Sequence, residues 1–239
     1  MAQPPNNPPE ALRRVRVWGG WLRLAHAALA LSTLVLLATG WLIANSPSLA
    51  EDAVDFHYYG ASILVFGLML RGWLLFFGSE VERIDQLVPG PGEGRRMRET
   101  LLFYASLGRL KLPHWYAHNP LWKPVYLMLF LVLLVMVVSG GFMQSHPLVW
   151  KLYLPSVHAF WAGVIGWFVL LHLIAVIWHD ARGGQADVSA IINGWRIFEV
   201  DKSELPPPPV DDGIVARFDL DRLKQNLKHS DEPSGGGKS

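Results

Sequence analysis

Between Lys151 and Asp180 the chain carries no charged side chain, and no other feature restricts its fold so narrowly. A helix rises about 1.5 Å per residue, so a run of this length can cross the roughly 30 Å hydrocarbon core of a bilayer. The same run holds His158 and His172. Fourteen positions apart in the sequence, they are separated by about 21 Å along a helix and return to nearly the same face. One imidazole near each side of a membrane, on one helical face, is the arrangement of a helix that ligates two b-type haems.

The totals agree with a membrane protein. Of 239 residues, 51% are hydrophobic and 17% charged, and eleven are Trp, which is too apolar for an ordinary soluble domain. A formal net charge of +1 offers nothing to a polyanion, so nucleic acid is not an expected partner. The chain has no Cys, which excludes disulfides, iron–sulfur clusters, thiolate ligation and covalent haem attachment. Any haem iron must then be held by His, with Met as the outside option.

Three further runs have the length of a span, giving expected helices over about 20–45, 55–78, 121–143 and 155–179. The first could be mistaken for a secretory signal, but its apolar stretch is far longer than the roughly 7–15 residues of such a segment. Residues 1–12 are rich in Pro and Asn and read as disordered. Residues 13–180 form the four-helix domain. Val188 to Phe198, within 181–200, reads as a short amphipathic helix at the membrane interface. The remainder, 201–239, is a polar and mobile tail.

Lys and Arg set the orientation. Four lie in the N-terminal flank, six between 79 and 120 and eight after 180. The 45–54 loop has none, and the 144–154 loop has only Lys151. Both termini and the long loop are therefore expected in the cytoplasm.

With that orientation the histidines sort by depth. His26 and His172 lie toward the cytoplasmic side, and His57 and His158 toward the outer side. Each pair can clamp one iron between facing helices of a bundle. Four His at two matched depths outweigh the reading as interhelical polar contacts or a proton relay. Gly60, Gly67 and Gly163 would let either a flat macrocycle or a neighbouring helix come close. Arg71, fourteen residues after His57, is expected beside a propionate of the cytoplasmic-side haem. His114, His118, His146, His179 and His229 read as surface or interfacial residues.

Four stretches also carry a family resemblance. Val17 to Ile43 (VWGGWLRLAHAALALSTLVLLATGWLI) and Phe56 to Gly78 (FHYYGASILVFGLMLRGWLLFFG) resemble the first two helices of the cytochrome b subunits of membrane-bound nickel–iron hydrogenases. His118 to Met143, opening on His-Asn-Pro, is similar to their third helix. His179 to Phe198 resembles the exit from their fourth. More distant relatives are the gamma subunits of formate dehydrogenases and the b561-type and thiosulfate-reductase cytochromes.

The resemblance implies an all-α integral membrane protein of the bacterial inner membrane, a four-helix bundle binding two haem b. Its ligands would be His26, His57, His158 and His172. It implies a quinone pocket near the cytoplasmic-side haem, with Asn119 and more weakly His118 lining it. It implies a hydrogenase-type iron–sulfur small subunit, with its catalytic large subunit, docked on the periplasmic face. The chain would be an electron-transfer subunit and not an enzyme alone. The alternatives are a cytochrome b for a formate dehydrogenase or sulfur-compound reductase, and a haem-free anchor or transporter subunit. One departure is visible: His158 stands alone in PSVHAFW, where hydrogenase cytochromes often carry additional His.

Overall fold

The structure is a computed structural model and describes residues 10–113, 115–183 and 187–201. Two compact units divide the chain, Leu12–Glu199 and a second made of Met1–Ala11 with Val200–Ser239. The first carries all the long helices: α1 (Gly20–Asn45), α2 (Ala50–Phe77), α4 (Lys123–Phe142) and α5 (Leu154–Gly183). Each is long and apolar enough to cross a membrane. Of the second unit only residues 10, 11, 200 and 201 are described.

Helix α1 packs along α2, α4 packs along α5, and α2 makes the lighter contact with α4 that joins the two hairpins. Short connections force this pairing, because four residues between α1 and α2 allow only an antiparallel return. Gly60 and Gly67 make the first hairpin tight. A Cβ on Gly60 would come within 3.3 Å of Val35 and Leu36, and one on Gly67 within 3.1 Å of Leu29. Their role is close helix contact; the alternative, room for a macrocycle, is open only for Gly163, where an added Cβ would meet nothing within 4 Å. At mid-depth, Leu64 and Leu68 of α2, Val132 and Leu133 of α4 and Ile165 of α5 form the buried core, with Leu29, Leu36 and Leu37 of α1 packed against it.

Elsewhere the long helices expose large apolar side chains, among them Leu31, Phe66, Met69, Leu131, Trp167 and Ile177. Faces this apolar are stable only where the solvent is lipid, and a helix is one of the two structures that satisfy every backbone group there. Trp21 and Trp41 stand exposed near opposite ends of α1, at the spacing of the two interfacial belts.

The helix ends differ from the expected ones for local reasons. Helix α2 begins at Ala50, five residues early, because Glu51 and Asp52 fall in its first turn and favour its positive end. His57 is thus two turns inside the helix. The segment before α4 is more ordered than its Gly, Pro and Arg content suggests. It contains two 3₁₀ turns, Glu80–Glu82 and Ile84–Gln86, and the helix α3 (Glu93–Ala105). A reciprocal cap, in which the Ser79 N–H donates to Glu82 Oε2 at 2.8 Å, starts the first of these turns.

Two expectations are corrected. The disordered stretch 1–12 overlaps a strand, β1 (Glu10–Arg16), while residues 1–9 lie outside the described residues. The interfacial helix is also shorter than 188–198. Helix α6 covers Asp187–Asn193, Gly194 takes φ 88°, and the chain continues as strand β4 (Trp195–Asp201). A left-handed residue ends a helix, and glycine adopts it without steric cost. Strands β1 and β4 form a two-stranded sheet, and the Val17 N–H donates to the Gly194 carbonyl at 2.9 Å. The 201–239 tail lies outside the described residues apart from residue 201.

Between α4 and α5, β2 (Leu148–Val149) and β3 (Leu152–Tyr153) form a hairpin with Leu148 opposite Tyr153. Its two central residues, Trp150 and Lys151, have φ of 48° and 70°. That is the left-handed geometry a two-residue hairpin demands.

Candidate functional site

The outer pair comes together. His57 on α2 and His158 on α5 face one another with ring centroids 6.3 Å apart and planes inclined at 60°. Behind each ring stands a hydroxyl. Thr39 Oγ1 lies 2.8 Å from His57 Nδ1, and Ser139 Oγ lies 3.0 Å from His158 Nδ1. Both hydroxyls donate to their own helices, Thr39 to the Val35 carbonyl at 2.8 Å and Ser139 to the Met136 carbonyl at 3.2 Å. A hydroxyl has one proton. With that proton on its own helix the oxygen can accept from the imidazole, which places the hydrogen on Nδ1 and leaves the Nε2 lone pair free; the Met136 carbonyl faces the His158 ring as a further acceptor.

The residues present suit a haem iron: two imidazoles from different helices with ring centroids 6.3 Å apart. Neutral imidazole with its second nitrogen hydrogen-bonded is the usual state of a ligating His. Thr39 and Ser139 were not singled out from the sequence, because a Ser or Thr bonded to its own helix is common in apolar spans. A local signal exists nonetheless. Thr39-Gly40 precedes His57 and Ser139-Gly140 precedes His158 by eighteen and nineteen residues, once in each hairpin.

The inner pair is held differently. His26 on α1 and His172 on α5 lie within electrostatic reach of each other. Phe168 stacks on His172 at 5.5 Å with planes 12° apart, and Trp122 and Tyr126 stand edge-on at 6.3 and 6.2 Å. No hydroxyl backs either ring among the described residues. The donor set again suits a haem iron: two imidazoles from different helices, His172 among aromatic side chains and His26 on an exposed stretch of α1.

Arg71 donates to the Glu82 carbonyl at 2.9 Å, which ties the end of α2 to the turn that follows. Asn119 is buried; its Oδ1 accepts from the Leu121 N–H at 3.0 Å, while its Nδ2 has no hydrogen-bond partner among the described residues. His118 packs edge-on against Trp18 at 4.9 Å. Burial, with the Arg71 and Lys123 cations as the lesser causes, pushes its pKa down to about 4, so it is neutral near pH 7. His118 also lines a polar cavity of about 270 Å³ with Glu80, Gln86, Glu93, Arg96 and Lys123. Inside it Lys123 Nζ donates to both Glu93 oxygens, at 2.7 and 2.9 Å.

Of the remaining histidines, His146 is exposed as expected, whereas His114 and His229 lie outside the described residues. His179 is the correction: it is buried, not superficial. Its Nε2 lies 2.7 Å from the Tyr104 hydroxyl, which accepts from Trp122 Nε1 at 2.8 Å. Helix α3, unforeseen from the sequence, brings Tyr104 and Phe103 onto it. Arg196, placed by sequence in the interfacial helix, is also buried. It donates to the Trp115 and Tyr116 carbonyls at 2.9 and 2.7 Å, and so fastens β4 to the segment before α4.

Four membrane-length helices with paired internal imidazoles define a membrane cytochrome of the b type. The family model described as prokaryotic cytochrome b561 matches residues 17–194, and the chain belongs to that family. It is thus a multi-pass membrane protein that binds haem b and transfers electrons. It is similar to proteins named probable Ni/Fe-hydrogenase B-type cytochrome subunit. In Cupriavidus necator the identity is 25% over 80% of this chain and 90% of the relative. In Azotobacter vinelandii it is 28% over 80% and 91%, and in Azotobacter chroococcum 27% over the same shares. No solved structure matches the chain.

Proposed function

We propose that the chain is the di-haem electron-transfer subunit of a nickel–iron hydrogenase. It anchors an iron–sulfur small subunit and its catalytic large subunit on the periplasmic face of the inner membrane. From there it passes electrons to quinone near the cytoplasmic side. The observation that carries the reading is the facing of His57 and His158 at 6.3 Å with both Nδ1 atoms engaged. Haem b, when bound, supplies a one-electron couple. The chain's part would be to hold it, through His57 and His158 at one site and His26 and His172 at the other.

The hydrogenase partner is supported by the names of relatives that the chain matches over nine-tenths of their length. Both termini are assigned to the cytoplasm by the Lys and Arg distribution. For quinone, the support is the buried Asn119 amide with a donor to spare, beside His118. Arg71 is assigned a propionate contact, since among the described residues its guanidinium donates to one backbone carbonyl, that of Glu82.

The test is haem content and reduced-minus-oxidised spectra of the purified chain. Two b haems per chain are expected, and absence of a b-type band would leave a haem-free anchor. Copurification of a hydrogenase pair is expected from the native membrane; recovery of formate dehydrogenase subunits instead would move the chain to that partner.

A further inference from the structure

The outer site contains more than its two histidines. Each hairpin supplies one ring and, from its other helix, the hydroxyl behind that ring: His57 on α2 with Thr39 on α1, and His158 on α5 with Ser139 on α4. Neither oxygen is free to turn. Thr39 Oγ1 donates to Val35 at 2.8 Å, with Leu36 at 3.3 Å, and Ser139 Oγ donates to Met136. Both side chains are buried, Ser139 to 2% exposure and Thr39 to 7%, so water does not compete for them. The residue after each is Gly, and it lies against the ring edge. A Cβ on Gly140 would stand 3.0 Å from His158 Cε1, and one on Gly40 3.6 Å from His57 Cε1. The same hydroxyl–glycine unit thus serves both rings, from two helices unrelated in sequence elsewhere.

We propose that Thr39 and Ser139 are positioning residues of the outer haem. Each hydroxyl accepts the Nδ1 hydrogen of its histidine, selects that tautomer, directs Nε2 at the iron and lowers the potential of this haem relative to one held without such acceptors. The inference rests on the ligand assignment proposed above. Its physical basis is general: an acceptor on the far nitrogen makes an imidazole a stronger donor to its metal, which favours the oxidised ion. The inner rings, His26 and His172, have no hydroxyl acceptor among the described residues. The effect is therefore confined to one of two haems, and rescue by Thr39→Ser separates it from a merely structural role.

The test uses the full chain in membranes, titrated potentiometrically and followed by visible and EPR spectra. His158→Ala and His172→Ala identify which signals belong to the outer and inner haem. Thr39→Val keeps the shape and removes the acceptor; Ser139→Ala removes one oxygen. Each is expected to raise the midpoint potential of the outer haem, or to release that haem, while the inner haem titrates as before. Thr39→Ser, which keeps the hydroxyl, is expected to behave as the unmodified chain.

Unchanged potentials in both haems would overturn the proposal, as would equal shifts in both. A Thr39→Ser variant displaced as far as Thr39→Val would also sink it. If Thr39→Val does not accumulate, Thr39→Ala replaces it; Ser139→Ala is expected to give the smaller shift, because the Met136 carbonyl stays beside His158 as a second acceptor. Failure of the ligand assignment is a different result: the unmodified chain would lack two b-type signals before any hydroxyl was changed.

Discussion

The two ends of the bundle hold their imidazoles by different means. At the outer end each ring is gripped by a directional contact, a hydroxyl already committed to its own helix, with a glycine beside it. At the inner end it is His172 that lies among aromatic side chains, with Phe168 stacked on it and Trp122 and Tyr126 at its edges. Hydrogen bonds fix orientation and tautomer; stacking fixes position and excludes water but leaves the far nitrogen without a specified partner. One bundle can thus give two imidazole pairs different electronic surroundings without altering an imidazole.

The largest effect on this contrast should come from the ligands. On the proposed assignment His158→Ala removes about half the b-type absorbance and His172→Ala about the other half, as difference spectra would show. Loss of both haems in either variant would mean that the two ends are not independent.

Next come the glycines. Gly140→Ala puts a methyl 3.0 Å from His158 Cε1, so the ring must yield by a few tenths of an ångström, whereas Gly40→Ala makes an ordinary 3.6 Å contact. The first should perturb the outer-haem EPR signal and the second should leave it near that of the unmodified chain. Equal perturbation would mean that ring clearance is not what Gly140 provides.

Smaller is the change expected at the inner end. Phe168→Leu gives up a stacked pair worth about 0.5–1.5 kcal/mol while keeping the helix apolar. It should broaden or weaken the inner signal alone. An effect on the outer signal would contradict the separation of the two sites.

The smallest effect is a pH slope from outside the membrane. His118 in the folded chain titrates near pH 4, below the ordinary imidazole value of about 6.5. Between those values the unfolded chain binds a proton that the folded chain refuses, so stability falls as pH drops through that window and is unaffected above it. Thermal unfolding in detergent from pH 7 to pH 4 should show this slope, and His118→Gln should flatten it. A slope of the same size in the variant would assign it to other groups.

Much of this was legible in the chain. Spans were readable because bilayer thickness sets a minimum apolar length, and the four ligand candidates because an imidazole at that depth needs a reason. The hydroxyls were not, since Thr39 and Ser139 look like any small polar residue in an apolar helix until the facing ring is known. His179 was misjudged for a related reason. Its neighbours Tyr104 and Phe103 come from α3, a helix with a polar N-terminal half inside what reads as a loop. Arg196 likewise left the expected helix because Gly194 turned the chain, and its guanidinium then found two backbone carbonyls to bind.

Hydrophobic length and the fourteen-residue interval between His158 and His172 were enough to specify a membrane bundle with imidazoles at two depths, because both follow from helical rise and periodicity alone. Which nitrogen of His57 and His158 is tied back, and by what, depends on helices whose meeting residues are eighteen and nineteen positions apart. Directional contacts of 2.8 and 3.0 Å are properties of packing, and no local pattern of residues carries them.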